Sequence, residues 1–106
     1  MGSPRGRSPA RAWRALPRVL GQIAGIFGVT DGEITGGSRR RLVAAARAAV
    51  GAVAVSGHGL PVTQVARALG VTPMPLLRAL PRGAALLKAR GLDGAQVARQ
   101  AGKHSY

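Results

Sequence analysis

The sequence lacks cysteine altogether and has only three acidic residues in 106. Without cysteine the chain can form no disulfide, no thiolate nucleophile and no Cys-ligated zinc site. The sequence has only two histidines, His58 and His104, so we expect no structural metal site. No apolar run suits a membrane span, because the longest uncharged segment, residues 48–66, is interrupted by SGHG and Pro61. The N-terminus also lacks the apolar region of a secretory signal, so we expect a cytoplasmic protein.

Large aromatic side chains are scarce as well, and much of the apolar content is alanine. Trp13 and Phe27 are the only ones away from the C-terminal tyrosine, and Trp13 could either pack against the first helix or stack on a base. Gly21, Gly25 and Gly51 fall inside predicted helices, where each costs roughly 0.5–1 kcal/mol relative to alanine. We therefore expect a thin core and a marginally stable fold.

Positive charge is abundant. The chain has 16 lysines and arginines and a formal net charge of +13. A coding bias towards arginine could account for the number of cations, but it explains the near absence of acids less well. A small domain with this imbalance is expected to bind polyanions, of which nucleic acid is the commonest.

Helical signals follow one another along the chain, without an internal repeat. Residues 1–15 are predicted to be a disordered basic arm, residues 16–90 the folded domain and residues 91–106 a flexible basic tail. The first helix is predicted to begin at Pro17, to bury Leu20, Ile23 and Phe27, and to end at Gly28. We predict an all-α domain of about five or six short helices.

Two further helices are predicted in the middle of the chain. Thr30 and Glu33 have the spacing of a capping box for a very short helix, which Gly36-Gly37 would end. Ser38 is then expected to cap a long helix over residues 39–55. The predicted inward face of that helix consists of Leu42, Val43, Ala46, Ala49, Val50 and Val53. His58, in the loop that follows, is expected to be solvent-exposed.

The segment LPVTQVARALGVTPMPLLRAL, residues 60–80, predicts a helix-turn-helix. Its first helix would bury Val62, Val65, Ala66 and Leu69. Gly70 can adopt the left-handed conformation that ends this helix, and Thr72 followed by Pro73 is typical of the start of the next one. The second helix can lie in a major groove, and Pro81 is expected to end or kink it before another short helix.

These residues resemble a known family of DNA-binding domains. The segments IAGIFGVTDGEITGGSRRRLVAAARAAV and LPVTQVARALGVTPMPLLRAL resemble the C-terminal domain of the bacterial replication initiator DnaA, with its Trp-repressor-like fold. They are even more similar to the DnaA-like domain of REP-associated tyrosine transposases. The resemblance covers residues 17–87. It includes the Phe-Gly-Val turn, the basic stretch, the Ala46-Arg47 pair and the helix-turn-helix in the family's order.

The resemblance implies double-stranded DNA as the partner, with no cofactor and no small-molecule substrate. In the family a basic loop approaches the minor groove and phosphates, while the helix-turn-helix enters the adjacent major groove. This implies a minor-groove role for Arg39 and backbone contacts for Arg40 and Arg41. Arg47 would contact a phosphate or the groove edge. In the second helix, the implied DNA-binding residues are Thr72, Pro73, Met74 and Arg78.

One part of the family pattern is missing from the sequence. The initiator reads bases with an Asp-His-Thr-Thr run, and here that run is Thr72-Pro73-Met74-Pro75. Proline donates no hydrogen bond and methionine can contact only apolar features such as a thymine methyl group. Leu77 is apolar where a polar residue is expected. Direct base readout should therefore be poor, and affinity should come mainly from phosphates and DNA shape.

No catalytic chemistry is expected. The chain has no phosphate-binding Gly-x-x-x-x-Gly-Lys-Ser/Thr loop, no His-hydrophobe-His pair and no defensible carboxylate pair. Three alternatives to a DNA-binding module remain open at this point. The chain could be a small helical protein that binds a protein partner through Met74, Leu76 and Leu77, a non-catalytic transposase remnant, or a decayed reading frame whose product barely folds.

Overall fold

The computed structural model describes residues 9–36 and 40–92, and within them every secondary-structure element is helical. The α-helices are α1 (Pro9–Phe27), α2 (Asp31–Thr35), α3 (Arg41–Gly51), α4 (Val62–Leu69) and α5 (Pro73–Ala89). A π-helical segment, Ala52–Gly57, continues α3 directly. The predicted all-α bundle is confirmed for this part of the chain.

Helix α1 begins eight residues earlier than the sequence predicted, so the predicted disordered arm is wrong for residues 9–15. Residues 1–8 lie outside the described part. Pro17 lies inside the helix, where it removes one backbone hydrogen bond. The helix continues because residues on both sides of Pro17 pack into the core: Leu16 and Val19 are buried, and Trp13 packs against them from the rim.

The capping box at the start of α2 is confirmed. The Thr30 hydroxyl accepts a 3.1 Å hydrogen bond from the backbone N–H of Glu33, and the backbone N–H of Thr30 donates a 3.0 Å bond to the Glu33 carboxylate. These bonds satisfy amide groups that a helix start otherwise leaves unpaired. Ile34, the fourth of the five residues of this helix, is fully buried and joins α2 to the core.

Helix α3 begins at Arg41, two residues later than predicted, and its N-cap residue is Arg40, not Ser38. The Arg40 side chain makes no capping hydrogen bond. Leu42 was expected to face inward, but 41% of it is exposed. The other predicted inward residues are buried: Val43, Ala46, Ala49, Val50 and Val53. In the π-helical segment the chain widens, so that the backbone N–H of His58 bonds to the Val53 carbonyl five residues back.

The predicted helix-turn-helix is present in α4 and α5. Gly70 has a φ of 74° and ends α4, and the backbone N–H of Val71 then bonds back to the Ala66 carbonyl at 2.9 Å. This closure is a Schellman motif, in which a left-handed residue satisfies the last carbonyls of a helix. Val65, Ala66 and Leu69 are buried beneath the turn, as predicted.

Helix α5 runs through Pro81 without ending, so the predicted helix end at Pro81 and the separate short helix after it are wrong. The helix continues because both halves pack against α3. A Cβ atom placed on Gly83 would lie 2.1 Å from the carbonyl oxygen of Ala48, and one on Gly51 would lie 2.8 Å from Leu76 Cδ1. At Gly83 the approaching atoms are backbone, which leaves no room for a side chain, whereas at Gly51 they are the ends of leucine side chains. Glycine therefore allows the two helices to meet.

The sequence predicted a flexible tail from residue 91, but the chain just after α5 is attached to the rest of the domain. The backbone N–H of Leu92 bonds to the Leu87 carbonyl at 2.8 Å, and the Leu92 side chain packs against the core. The Arg90 guanidinium lies 4.4 Å from the centre of the Phe27 ring, a cation–π contact between the ends of α5 and α1. The remainder of the predicted tail, residues 93–106, lies outside the described part.

Candidate nucleic-acid interface

The basic corner comprises Arg40 and Arg41 at the start of α3. Both side chains are exposed. Arg40 also forms an ion pair with Glu33 of α2, and the Arg40 side chain is 63% exposed in this pair. Arg39, the third arginine of the run, lies outside the described residues. Arg40 therefore adjoins a carboxylate that belongs to the α2 capping box.

Glu33 is held in its charged form at this corner. The hydrogen bond from the Thr30 backbone lowers the pKa of Glu33 below its ordinary value, and the positive charge of Arg40 lowers this pKa further. Arg40 is thus partly neutralised at neutral pH. Arg41, the other exposed cation of the corner, forms no ion pair with any of the described residues.

Arg47 lies in the interior, although the resemblance implied a contact with DNA. Its side chain is only 9% exposed, and its Nε donates a 3.0 Å hydrogen bond to the carbonyl of Ile34. This carbonyl is at the end of α2, where a helix leaves its last carbonyls without partners. Burial lowers the pKa of Arg47, but an arginine remains charged at neutral pH. Its enclosed position does not favour a phosphate contact. Arg47 instead joins α2 to α3 beside the basic corner.

The second predicted contact region is the start of α5. Thr72 is the N-cap residue, is exposed and makes no capping hydrogen bond with its side chain. Pro73 is half-buried, whereas Met74 is 55% exposed and Leu77 is 45% exposed. Arg78 is exposed one turn further on. We call the exposed residues at the start of α5 the α5 face: Thr72, Met74, Leu77 and Arg78.

Two more exposed cations near this face were not singled out in the sequence. Arg82 follows Arg78 by four residues and therefore lies on the same side of α5, and Arg67 is on the outer side of α4. The four-residue spacing was a visible signal for Arg82, but the expected break at Pro81 separated it from Arg78. The sequence has no acidic residue between Glu33 and Asp93. No carboxylate side chain therefore opposes these cations from α3, α4 or α5.

The basic corner and the α5 face lie at opposite ends of the α3–α5 pair. Gly51 lies beside Leu76, whereas Ala48, closer to the start of α3, lies beside Gly83. The two helices therefore run in opposite directions. Arg41 lies ten residues before Gly51, and Thr72 lies four residues before Leu76. Because the helices are antiparallel, these two offsets add. At about 1.5 Å per residue, Arg41 and Thr72 are separated by a distance on the order of 20 Å along the helices. The two regions are separate points of contact and not one cluster.

His58 was expected to be exposed, but its ring is half-buried. Its Nε2 atom is buried and has no hydrogen-bond partner among the described residues. Burial lowers the pKa of His58 below its ordinary value. The residue is thus held in its neutral form at the end of the π-helical segment.

No protein-family model matches the chain, and no curated protein or solved structure shows significant similarity to it. Within residues 9–36 and 40–92, no helix combines the length and the apolar character that crossing a membrane requires. The same residues contain no group of three or more His, Cys, Asp or Glu side chains that could hold a metal ion.

Proposed function

We propose that the chain is a non-catalytic module that binds double-stranded DNA, as its resemblance to the DnaA C-terminal domain implies. The main support is the exposed α5 face of a helix-turn-helix, on a domain whose helices α3 to α5 have no acidic side chain. In this proposal α5 enters the major groove, and the basic corner approaches the phosphates and minor groove beside it.

The separation of the two contact regions is compatible with this arrangement. One turn of B-DNA is about 34 Å long, so the centres of adjacent major and minor grooves lie about 17 Å apart. The distance between the basic corner and the α5 face is on the order of 20 Å. The proposal therefore requires that both regions face the same side of the duplex, at a separation close to that of adjacent grooves.

Phosphate contacts should provide most of the affinity. The proposed phosphate contacts are made by five exposed cations of the basic corner, of α4 and of the Arg78 side of α5: Arg40, Arg41, Arg67, Arg78 and Arg82. About five phosphate contacts would make log K fall with log salt at a slope of about −4 to −5. We expect submicromolar binding at low salt that weakens steeply as salt is added.

The test compares three single variants that each remove one exposed arginine. Arg41→Ala changes the basic corner, Arg78→Ala changes the α5 face, and Arg14→Ala removes the same charge from α1 as a control. Binding to a fluorescent duplex is measured by anisotropy over a series of salt concentrations. The first two variants should bind several-fold more weakly, with a salt slope reduced by about one, and the control should change much less. Equal weakening in all three would show that total charge alone matters and would refute the proposed interface.

A protein-binding function is the second candidate, because Met74 and Leu77 expose apolar surface on α5. Sedimentation velocity distinguishes the two. A salt-insensitive dimer that Met74→Ala abolishes, together with no affinity for a duplex at low salt, would favour this second function over DNA binding.

A further inference from the structure

The first turn of α5 presents carbon atoms where a DNA-reading helix usually presents polar groups. Met74 and Leu77 are three residues apart, so they share one side of the helix, and both are about half exposed. Pro75, between them in the sequence, is exposed as well. The outward surface of this turn is therefore largely apolar.

The same turn offers few hydrogen-bond donors. Pro73 and Pro75 have no backbone N–H, so two of the amides that a helix start would direct at a ligand are missing. The first long cationic side chain is Arg78, more than one turn from the start of the helix. Bidentate recognition of a base edge by arginine, asparagine or glutamine is therefore not available within the turn.

In the major groove the apolar feature that such side chains can contact is a methyl group on carbon 5 of a pyrimidine. Thymine carries this methyl group and 5-methylcytosine carries it at the same position, whereas unmodified cytosine does not. Methionine, being flexible and polarisable, adapts well to a surface of this kind. Exposed cations on the same two helices, Arg67, Arg78 and Arg82, would attract the phosphates of a duplex.

We infer that Met74 and Leu77 recognise the 5-methyl groups of pyrimidines in duplex DNA, so that the domain prefers thymine-rich or cytosine-methylated sites. This inference rests on the proposed function and adds selectivity to it. Phosphates provide affinity for any sequence, and the α5 face distinguishes sequences by their methyl groups. Burial of one methyl group changes binding by about fourfold, so two contacts give an effect of roughly fifteenfold.

The test uses duplexes that differ only in methyl groups. In the first pair every thymine of a mixed-sequence duplex is replaced by deoxyuridine, which keeps the base pairing and removes the methyl group. In the second pair every cytosine is replaced by 5-methylcytosine. Dissociation constants are measured by fluorescence anisotropy at two salt concentrations. Wild type should bind the deoxyuridine duplex about four- to fifteenfold more weakly and the 5-methylcytosine duplex more tightly. Because the effect is apolar, both ratios should hardly change with salt.

Variants identify the side chains that recognise the methyl groups. The double variant Met74→Ala/Leu77→Ala should bind the thymine and deoxyuridine duplexes equally. Leu42→Ala, which removes an equally exposed leucine from α3, should keep the wild-type ratio. All of these side chains are on the surface, and circular dichroism verifies that each variant is folded.

The outcomes separate the inference from the proposed function. Tight, salt-dependent binding with equal affinities for both duplexes of each pair would overturn the inference and leave DNA binding intact. A methyl preference that persists in the double variant would assign the recognition to other residues and would also overturn it. Failure to bind any duplex at low salt would refute the proposed function itself. A dimer lost in the double variant, without a methyl preference, would mean that the apolar turn binds a second copy of this chain.

Discussion

Arg47 shows that the role of a side chain can depend on a residue far away in the sequence. In the sequence it is one more arginine in a basic helix, two turns after Arg39. In the fold its Nε bonds to the carbonyl of Ile34, thirteen residues away, and its side chain is almost enclosed. The pairing could not be predicted from the sequence, because helical spacing gives no sign of which arginine a neighbouring helix covers.

Replacing Arg47 should therefore affect stability first. Arg47→Ala leaves the buried Ile34 carbonyl without this donor, which typically costs about 1–3 kcal/mol in the free energy of unfolding. Arg41→Ala, the exposed control on the same helix, should change it by less than about 0.5 kcal/mol. Urea unfolding followed by circular dichroism measures both. If Arg47→Ala retained full stability and lost DNA affinity as much as Arg41→Ala, the interior role assigned to Arg47 would be wrong.

His58 should make stability depend on pH in the mildly acidic range. Its pKa is lowered by burial in the folded state, whereas in the unfolded chain it should titrate near 6.5. The unfolded state therefore binds the proton more tightly, and stability is fully present above about pH 6.5 and decreases as the pH falls below it. The effect of Glu33, whose folded-state pKa is also lowered, begins only below its ordinary value of 4.5.

The melting temperature between pH 7.5 and 5 tests this prediction. It should decrease in wild type and remain nearly constant in His58→Gln, which cannot titrate. The imidazole resonance that disappears in this variant should titrate below pH 6.5 in the folded protein. A titration midpoint at or above 6.5 would contradict the burial of the ring.

At the scale of elements, helix ends marked by glycine and a cap could be predicted, but the continuity of helices through proline could not. Gly28, Gly70 and the Thr30–Glu33 capping box end or start helices as expected, because these signals act within a few residues. Pro17 and Pro81 have local costs that favour a break. What offsets those costs comes from elsewhere in the chain. The close approach of Gly83 to Ala48, for example, joins residues far apart in sequence.

Glycine-to-alanine substitutions should reveal this close approach. Gly83→Ala places a methyl group 2.1 Å from the Ala48 carbonyl oxygen, so α5 must move away from α3. We expect a loss of about 1–3 kcal/mol in the free energy of unfolding, as is typical of overpacking. Gly25→Ala is the matched control, since a Cβ there meets no atom within 4 Å and alanine favours the helix by about 0.5–1 kcal/mol. Thermal unfolding should shift in opposite directions for the two variants. A stabilising Gly83→Ala would contradict the α3–α5 packing.

At the scale of the whole molecule, the positive charge on which the proposed DNA binding depends opposes folding. A net charge of +13 on 106 residues means that compaction brings like charges together, and this repulsion destabilises the folded state. Added salt screens the repulsion. Salt should therefore raise the melting temperature while it lowers duplex affinity, so that one variable acts on the two properties in opposite directions.

A single acidic substitution should change the melting temperature and the duplex affinity in the same opposite directions without any added salt. Thr63 is exposed in the first turn of α4 and lies four residues before Arg67. A glutamate there meets the positive end of the helix dipole and a cation at the favourable spacing, together about 0.5–1 kcal/mol at low ionic strength. Thr63→Glu should raise the melting temperature and weaken DNA binding, whereas the uncharged control Thr63→Gln should do neither. The gain in stability should decline as salt is added, because salt already screens the same repulsion. A stabilisation by Thr63→Glu that is equal at low and high salt would mean that charge repulsion does not limit this fold.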